Sequence, residues 1–425
     1  MKKPFERFDM ARDPIRTKWY LKPVTKLLSW PDMITHRPAI HFHGVDVPLK
    51  PPYLLLCNHN AFMDFKVATQ VIYPNSANYV VAIDGFIGRE WLLRAVGCIC
   101  KRKFTNDTVL IRQLAKVIGN KDIAVVYPEA RYSLCGTTAV LPASLGKLCK
   151  LLKVPVVTLI THGHHVNSPF WNLHDRKIHT EADYTLLFTP EQIKELSVDE
   201  LNARIVEAFQ YDDFAWQKAT GTLTKYPKRA EGLHKVLYQC PHCGKEFHMD
   251  SRNDILFCGE CGKRWRMTEL GELEALDGQP TEFSHIPDWY EWERANVRAE
   301  VEAGTYDSGL LQVHVDSLPN ARKFIRLGNG TMRHDMSGFH VHGTDVEGDP
   351  FDMEIPVPSL YSVHIEYEYL GKYGDCVDLN TLMDTWYTYP EPSQEFAVTK
   401  MALATEELYY AYRRSIGKPC PPGLA

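Results

Sequence analysis

The 425-residue chain contains no run of about eighteen apolar residues, so no segment is expected to cross a bilayer as a helix. Its start, Met1-Lys2-Lys3-Pro4-Phe5-Glu6-Arg7, lacks the apolar core that follows the charges of a secretory leader. An even, disulfide-type cysteine set is also missing. Eleven cysteines is an odd number, and Cys57, Cys98, Cys100 and Cys149 lie in apolar surroundings, which fits buried thiols in a reducing cytoplasm. Extremes of composition are absent too: 44% hydrophobic and 24% charged residues are ordinary for a globular chain. A chain this long calls for two or three domains.

What the chain does have is an uneven charge. The formal net charge of −5 divides into −15 over residues 271–425, with 11 basic and 26 acidic side chains, and +10 over residues 1–270. A basic half suits phosphate-bearing ligands or an anionic membrane surface.

The stretch that organises the basic half is Tyr53-Leu-Leu-Leu-Cys57-Asn58-His59-Asn60-Ala61-Phe62-Met63-Asp64. Five mostly apolar residues predict a short buried strand, and polarity then arrives at once. A strand that stops at a His, with a carboxylate five residues on, presents a base at the rim of a sheet. Histidine can take and return a proton near neutral pH, and a carboxylate on its second ring nitrogen fixes the tautomer. A surface His beside a helix-start Asp is the plainer alternative for this spacing taken alone. From residue 40 short apolar runs alternate with mixed helical stretches. Strands are expected at 40–43, 53–57, 79–82, 123–127, 154–160 and 184–188, with helices at 64–73, 88–96, 106–119, 143–152 and 198–210. This alternation predicts an α/β domain with a mainly parallel sheet.

Asn58-His59-x4-Asp64 after an apolar strand resembles the first motif of the glycerolipid acyltransferases, the 1-acylglycerol-3-phosphate acyltransferase family. Three further motifs follow in that family's order. Gly97-Cys98-Ile99-Cys100-Lys101-Arg102 resembles the second. Val125-Val126-Tyr127-Pro128-Glu129-Ala130-Arg131-Tyr132-Ser133 resembles the third, and Lys153-Val154-Pro155-Val156-Val157-Thr158 the fourth. The resemblance covers roughly residues 40 to 190. In the third motif Ala130 stands where Gly is usual, Arg131 where Thr is usual and Tyr132 where Arg is usual, so the motif's arginine is displaced by one residue. Thr158 replaces a second Pro in the fourth.

The resemblance implies acyl transfer from acyl-CoA or acyl-carrier protein to the hydroxyl of a lysophospholipid such as 1-acylglycerol-3-phosphate. His59 would be the general base, oriented by Asp64. Arg102, Glu129 and Arg131 would hold the acceptor, and Asn58 would fix the loop or donate to the oxyanion. Its rival is a catalytically inactive lipid-sensing or scaffold protein on the same fold.

Residues 1–36 are basic and aromatic, with Trp19, Tyr20 and Trp30 among Arg16, Lys18, Lys22 and Lys26. They suit either a segment at a lipid headgroup layer or a helix packed on the catalytic domain. Pro23 and Pro31 imply that any helix there is short. The resulting expectation is a cytoplasmic protein, peripheral at the inner face of a membrane.

Cys240-x2-Cys243, fourteen intervening residues and Cys258-x2-Cys261 resemble a zinc ribbon. Four thiolates would hold one structural zinc ion, with Phe247, Phe257 and Trp265 as a small core. Mixed charges around it, with no basic stripe, argue against nucleic acid. The expected organisation is 1–235 acyltransferase-like, 236–270 zinc ribbon, 271–304 an acidic linker or packed helix, and 305–425 β-rich with a C-terminal helix. The last resembles a pleckstrin-homology barrel by element order and suits protein contact or self-association. Tyr211 to Leu233 reads as a connector, and Gly328-Asn329-Gly330 as a hairpin turn.

Overall fold

The computed structural model describes residues 6–418, which divide into two units. One comprises Asp9–Lys101 and Asp107–Thr224; the other comprises described residues 6–8, 102–106 and 225–418. The first therefore ends ahead of residue 235.

The first unit begins with α1 (Lys22–His36), followed by β1 (Ala39–His43), β2 (Tyr53–Cys57), α2 (Met63–Ile72), β3 (Ala77–Ala82), α3 (Glu90–Ala95), β4 (Ile99–Lys101), α4 (Thr108–Gly119) and β5 (Ile123–Val126). Next come α5 (Leu145–Leu152), β6 (Val156–His162), α6 (His164–Asn167), β7 (Glu181–Phe188), α7 (Pro190–Glu195), α8 (Val198–Ala208) and α9 (Asp213–Thr220). The sheet order is β1-β7-β6-β2-β5-β3-β4. All neighbours run parallel except β6 and β7.

All five residues of β2 are buried. That is why its sequence is a continuous apolar run rather than an alternating one. Leu54 and Leu56 join Leu114 and Val117 of α4, Leu148 and Leu152 of α5, and Leu201 and Ile205 of α8 in one core. Helix starts are set locally. Asp107 accepts the Val109 and Leu110 N–H groups, while Thr189 with Gln192 and Ser197 with Glu200 form capping boxes.

Two expectations are corrected here. The N-terminal segment forms a fifteen-residue helix despite its prolines. Pro23 sits in the first turn, where a missing N–H costs nothing, and Pro31 removes the partner of an exposed turn around Leu27. The supposed connector after Tyr211 contains α9, capped by Asp212 and closed at Gly221. Its eight residues are too few to show an apolar period.

The second unit carries a four-stranded antiparallel sheet in the order β11-β10-β9-β8, from β8 (Met249–Arg252), β9 (Ile255–Cys258), β10 (Arg264–Met267) and β11 (Leu273–Ala275). Trp265 and Leu256 are its buried cross-strand pair, whereas Phe257, one residue on, lies on the other face and is half-buried. Phe247 is also half-buried, so the expected three-aromatic core reduces to Trp265. Trp265 meets Trp289 edge-on at 5.0 Å.

Trp289 belongs to α10 (Ile286–Glu302), which occupies half of the stretch expected as an acidic linker or a packed helix. Ile286, Trp289, Tyr290, Val297 and Val301 form its buried stripe, so the packed-helix alternative is the one the structure shows. After α10 come β12 (Leu311–Ser317), β13 (Ile325–Asp335), β14 (Gly338–Asp345), β15 (Pro350–Pro356), β16 (His364–Glu366), β17 (Cys376–Asn380), β18 (Thr385–Pro390) and α11 (Val398–Ser415). The seven strands pair antiparallel in the order β15-β14-β13-β12-β18-β17-β16.

The glycines expected as a hairpin turn lie inside β13. A Cβ on Gly330 would sit 2.2 Å from the His342 oxygen on β14, so glycine serves close backbone approach here, not reversal. Helix α11 packs on α10 through buried charge. Arg294 donates to Glu406 at 2.7 Å and Arg298 to Glu407 at 2.9 Å, with both glutamates fully buried.

Candidate active site

Strands β6, β2 and β5 are adjacent and parallel. Their carboxyl ends therefore deliver three loops to one place, the usual location of a site in an open α/β sheet. The loop after β2 carries Asn58, His59 and Asn60; the loop after β5 carries Tyr127 to Ser133; β6 ends at His162, two residues before His164.

His59 is partly exposed, with 23% of its side chain accessible, and its Nδ1 lies 3.1 Å from Asp64 Oδ2. The same Asp64 oxygen accepts the Asn60 and Ala61 N–H groups at 2.6 and 2.9 Å, which seats the carboxylate in the first turn of α2. Its other oxygen accepts the Thr161 hydroxyl at 3.2 Å and contacts His164 Nδ1. Asp64 is thus clasped by two histidines. Burial pushes its carboxyl up, but hydrogen bonds from His164 and His59 outweigh that and hold it below the usual carboxylate range. A carboxylate fixed in this way keeps Nδ1 of His59 protonated, leaving Nε2 as the nitrogen able to accept a proton.

The rings of Tyr127 and Tyr132 pack against His59, with centroids 4.4 and 4.5 Å away. Tyr132 occupies the position where the third motif usually has Arg. Burial pushes the Cys57 thiol well up, so the cysteine preceding the motif is no thiolate nucleophile.

The remaining expected site residues separate. Asn58 is fully buried, donates to the Thr161 oxygen at 2.9 Å and accepts the Thr161 N–H at 2.8 Å. Its amide ties the His59 loop to β6. Glu129 is also fully buried. It accepts the His59 backbone N–H at 3.1 Å with one oxygen and the Ala139 N–H at 2.8 Å with the other. Burial pushes its carboxyl up to about 8, against the opposing pull of the Ala139 and His59 N–H groups and Tyr211. Glu129 is a clamp between loops. Arg131 is buried beside it in the same loop.

Arg102 goes elsewhere. Its segment belongs to the second unit, where its guanidinium donates to Leu318 O at 2.9 Å, Thr385 Oγ1 at 2.7 Å and Pro319 O at 3.2 Å. The structure does not bring it to His59 as an acceptor ligand.

Sequence reasoning missed His164, Thr161 and Tyr211. Tyr211 donates to Asn60 Oδ1 at 3.0 Å and lies 3.3 Å from Glu129 Oε2. The one available signal was a histidine pair placed directly after a buried strand.

In the second unit the four cysteines converge. Their sulfur atoms lie within 4.8 Å of one another, with Cys240 to Cys261 and Cys243 to Cys258 each 3.8 Å apart. The two turns share one pattern. Cys240 N–H donates to Lys245 O and Gly244 N–H to Cys240 O; Cys258 N–H donates to Lys263 O and Gly262 N–H to Cys258 O. Gly244 and Gly262 hold φ of +76° and +74°, which explains the glycine behind each pair.

Residues 39–162 match the family model described as Acyltransferase, and this segment is an acyltransferase domain. The structure also aligns with the crystal structure of the 1-acyl-sn-glycerophosphate (LPA) acyltransferase PlsC from Thermotoga maritima. The identity is 14% and the TM-score 0.38, over 47% of this chain and 80% of that one. No curated protein matches the chain.

Proposed function

We propose that the protein transfers a fatty acyl group from an acyl thioester, acyl-CoA or acyl-carrier protein, to the hydroxyl of a lysophospholipid such as 1-acylglycerol-3-phosphate. The observation that carries this is the partly exposed His59 held at Nδ1 by a buried, ionised Asp64. His59 takes the acceptor's proton as its oxygen attacks the thioester carbonyl. The thiolate leaves and is protonated by the imidazolium. General-base help of this kind is worth about 10²–10⁴-fold. Arg131, in the loop clamped by Glu129, is the residue we assign to the acceptor's phosphate, since guanidinium matches phosphate oxygens bidentately.

Helix α1 supports contact with a lipid surface. One side packs on α2 through Asp32–Lys66 at 2.6 Å and Gln70 to buried Ser29 at 2.8 Å. The rest leaves Leu27, Leu28, Trp30 and Ile34 exposed, with Lys22 and Lys26 on the same helix. An amphipathic segment of this kind seats at the headgroup layer, on the cytoplasmic side in our reading.

The four thiols fit one zinc ion. Zn–S bonds of about 2.3 Å place tetrahedral sulfurs about 3.8 Å apart. With all four positions filled by protein, such an ion stabilises the fold and takes no part in acyl transfer. For the β-rich end we keep the pleckstrin-homology analogy and a role in protein contact or self-association.

The test is acyl transfer by the purified protein from a labelled thioester to a panel of lysolipids, in wild type and His59→Ala. Product that disappears in the variant is expected. The position of Tyr132 favours the lipid-sensing alternative, and no transfer from any thioester would make that reading the better one.

A further inference from the structure

Away from the acyltransferase site, β16 and β17 place four metal-ligating side chain types on one face of an antiparallel pair. His364 lies opposite Asp378, and Glu366, two residues on, lies opposite Cys376. Positions two apart share a face, and directly paired residues bring their Cβ atoms to about 5 Å. The four side chains therefore form a two-by-two block.

The block is closed from solvent. The His364 side chain is 4% exposed, Asp378 1% and Glu366 16%, while Cys376 is fully buried. His364 Nε2 is 2.8 Å from Glu366 Oε1 and 3.8 Å from Asp378 Oδ2. One nitrogen and two carboxylate oxygens thus lie within 4.8 Å of one another. Cys376 Sγ stands 3.7 Å from the second Asp378 oxygen. Nitrogen and oxygen ligands at about 2.0–2.2 Å from a tetrahedral ion sit about 3.3 Å apart, and the two His364 distances straddle that value.

We infer that His364, Glu366 and Asp378, with Cys376 in reach, form a second metal site, distinct from the four-cysteine cluster. Imidazole with carboxylates selects a borderline divalent transition ion such as zinc, and a thiol disfavours magnesium or calcium. Two carboxylates buried in one block carry a large desolvation penalty, which a dication offsets. Lys103, 3.7 Å from Asp378 Oδ2, offsets part of it. The ion would pin the three-residue edge strand β16 onto β17.

The competing arrangement needs no metal: His364 as an imidazolium between the carboxylates, with Lys103 completing the charge balance. Metal analysis of the full chain separates the two. Wild type is expected to retain one more equivalent of transition metal than Asp378→Asn and Glu366→Gln. Cys258→Ser should keep that equivalent, so the result does not depend on the thiol cluster. Equal metal content in wild type and both carboxylate variants overturns the proposal. Should the variants fail to fold, cobalt titration of the metal-free wild type decides. An equivalent that binds without the intense bands of four-thiolate cobalt is expected. Saturation once those bands are complete would overturn the site.

Discussion

The Glu129 carboxylate accepts the backbone N–H of His59 at 3.1 Å, so it holds the main chain of the residue we propose as base. Its proton inventory has a thermodynamic consequence. Burial raises Glu129 from the ordinary 4.5 to about 8, so between those values the folded chain keeps a proton that the unfolded chain has released. This contribution to stability is fully present below pH 4.5 and is lost as pH rises through 8. The Tyr211 hydroxyl donates to Asn60 Oδ1 and lies within donor reach of Glu129 Oε2. Glu129→Gln should flatten stability against pH in this window by up to about 1.4 kcal/mol per pH unit. Parallel denaturation curves for the two proteins from pH 5 to 8 would refute it.

His164 contacts the same carboxylate, Asp64, that holds His59 Nδ1. Removing it leaves that carboxylate gripped by His59, Thr161 and two backbone N–H groups. His164→Ala is expected to cost about 1–3 kcal/mol of stability. It should lower kcat by less than the roughly 10²–10⁴-fold lost in His59→Ala.

Ala130 carries a φ of +56°, the left-handed conformation that explains why glycine is usual at that point of the motif. An alanine there is strained. Ala130→Gly should raise stability by up to about 1 kcal/mol, read as a higher midpoint in urea. A lower midpoint would mean that chain entropy outweighs the strain.

The exposed side of α1 gives a prediction independent of catalysis. Leu27 and Leu28 are 66% and 67% exposed, so Leu27→Glu with Leu28→Glu should leave the thermal midpoint within about 1 °C of wild type. Cosedimentation with anionic vesicles should fall several-fold. Unchanged sedimentation would remove α1 from the membrane contact.

The readable parts of the sequence were those in which one physical requirement leaves one pattern. Strand β2 is buried on both faces and so appears as five apolar residues; the paired cysteines with trailing glycines repeat a turn that needs positive φ. The unreadable parts were those in which one pattern serves two ends. A glycine triplet reverses a chain or lets two strands approach, and only the neighbour, β14, decides. An arginine after a strand holds a phosphate or, as Arg102 does, a set of carbonyls. His164 was invisible because its partner lies 100 residues away.

Residues on β6, β2 and β5 are far apart along the chain, yet the loops they launch sit one strand spacing apart. That spacing is fixed by the main-chain hydrogen bonds of the ladder, while side chains such as those of fully buried Leu55 and Val125 stand off the faces of the sheet. The position of His59 is therefore set by the strands on either side of its own. A substitution that shifts β5 or β6 would move the loops around it without altering His59 or Asp64.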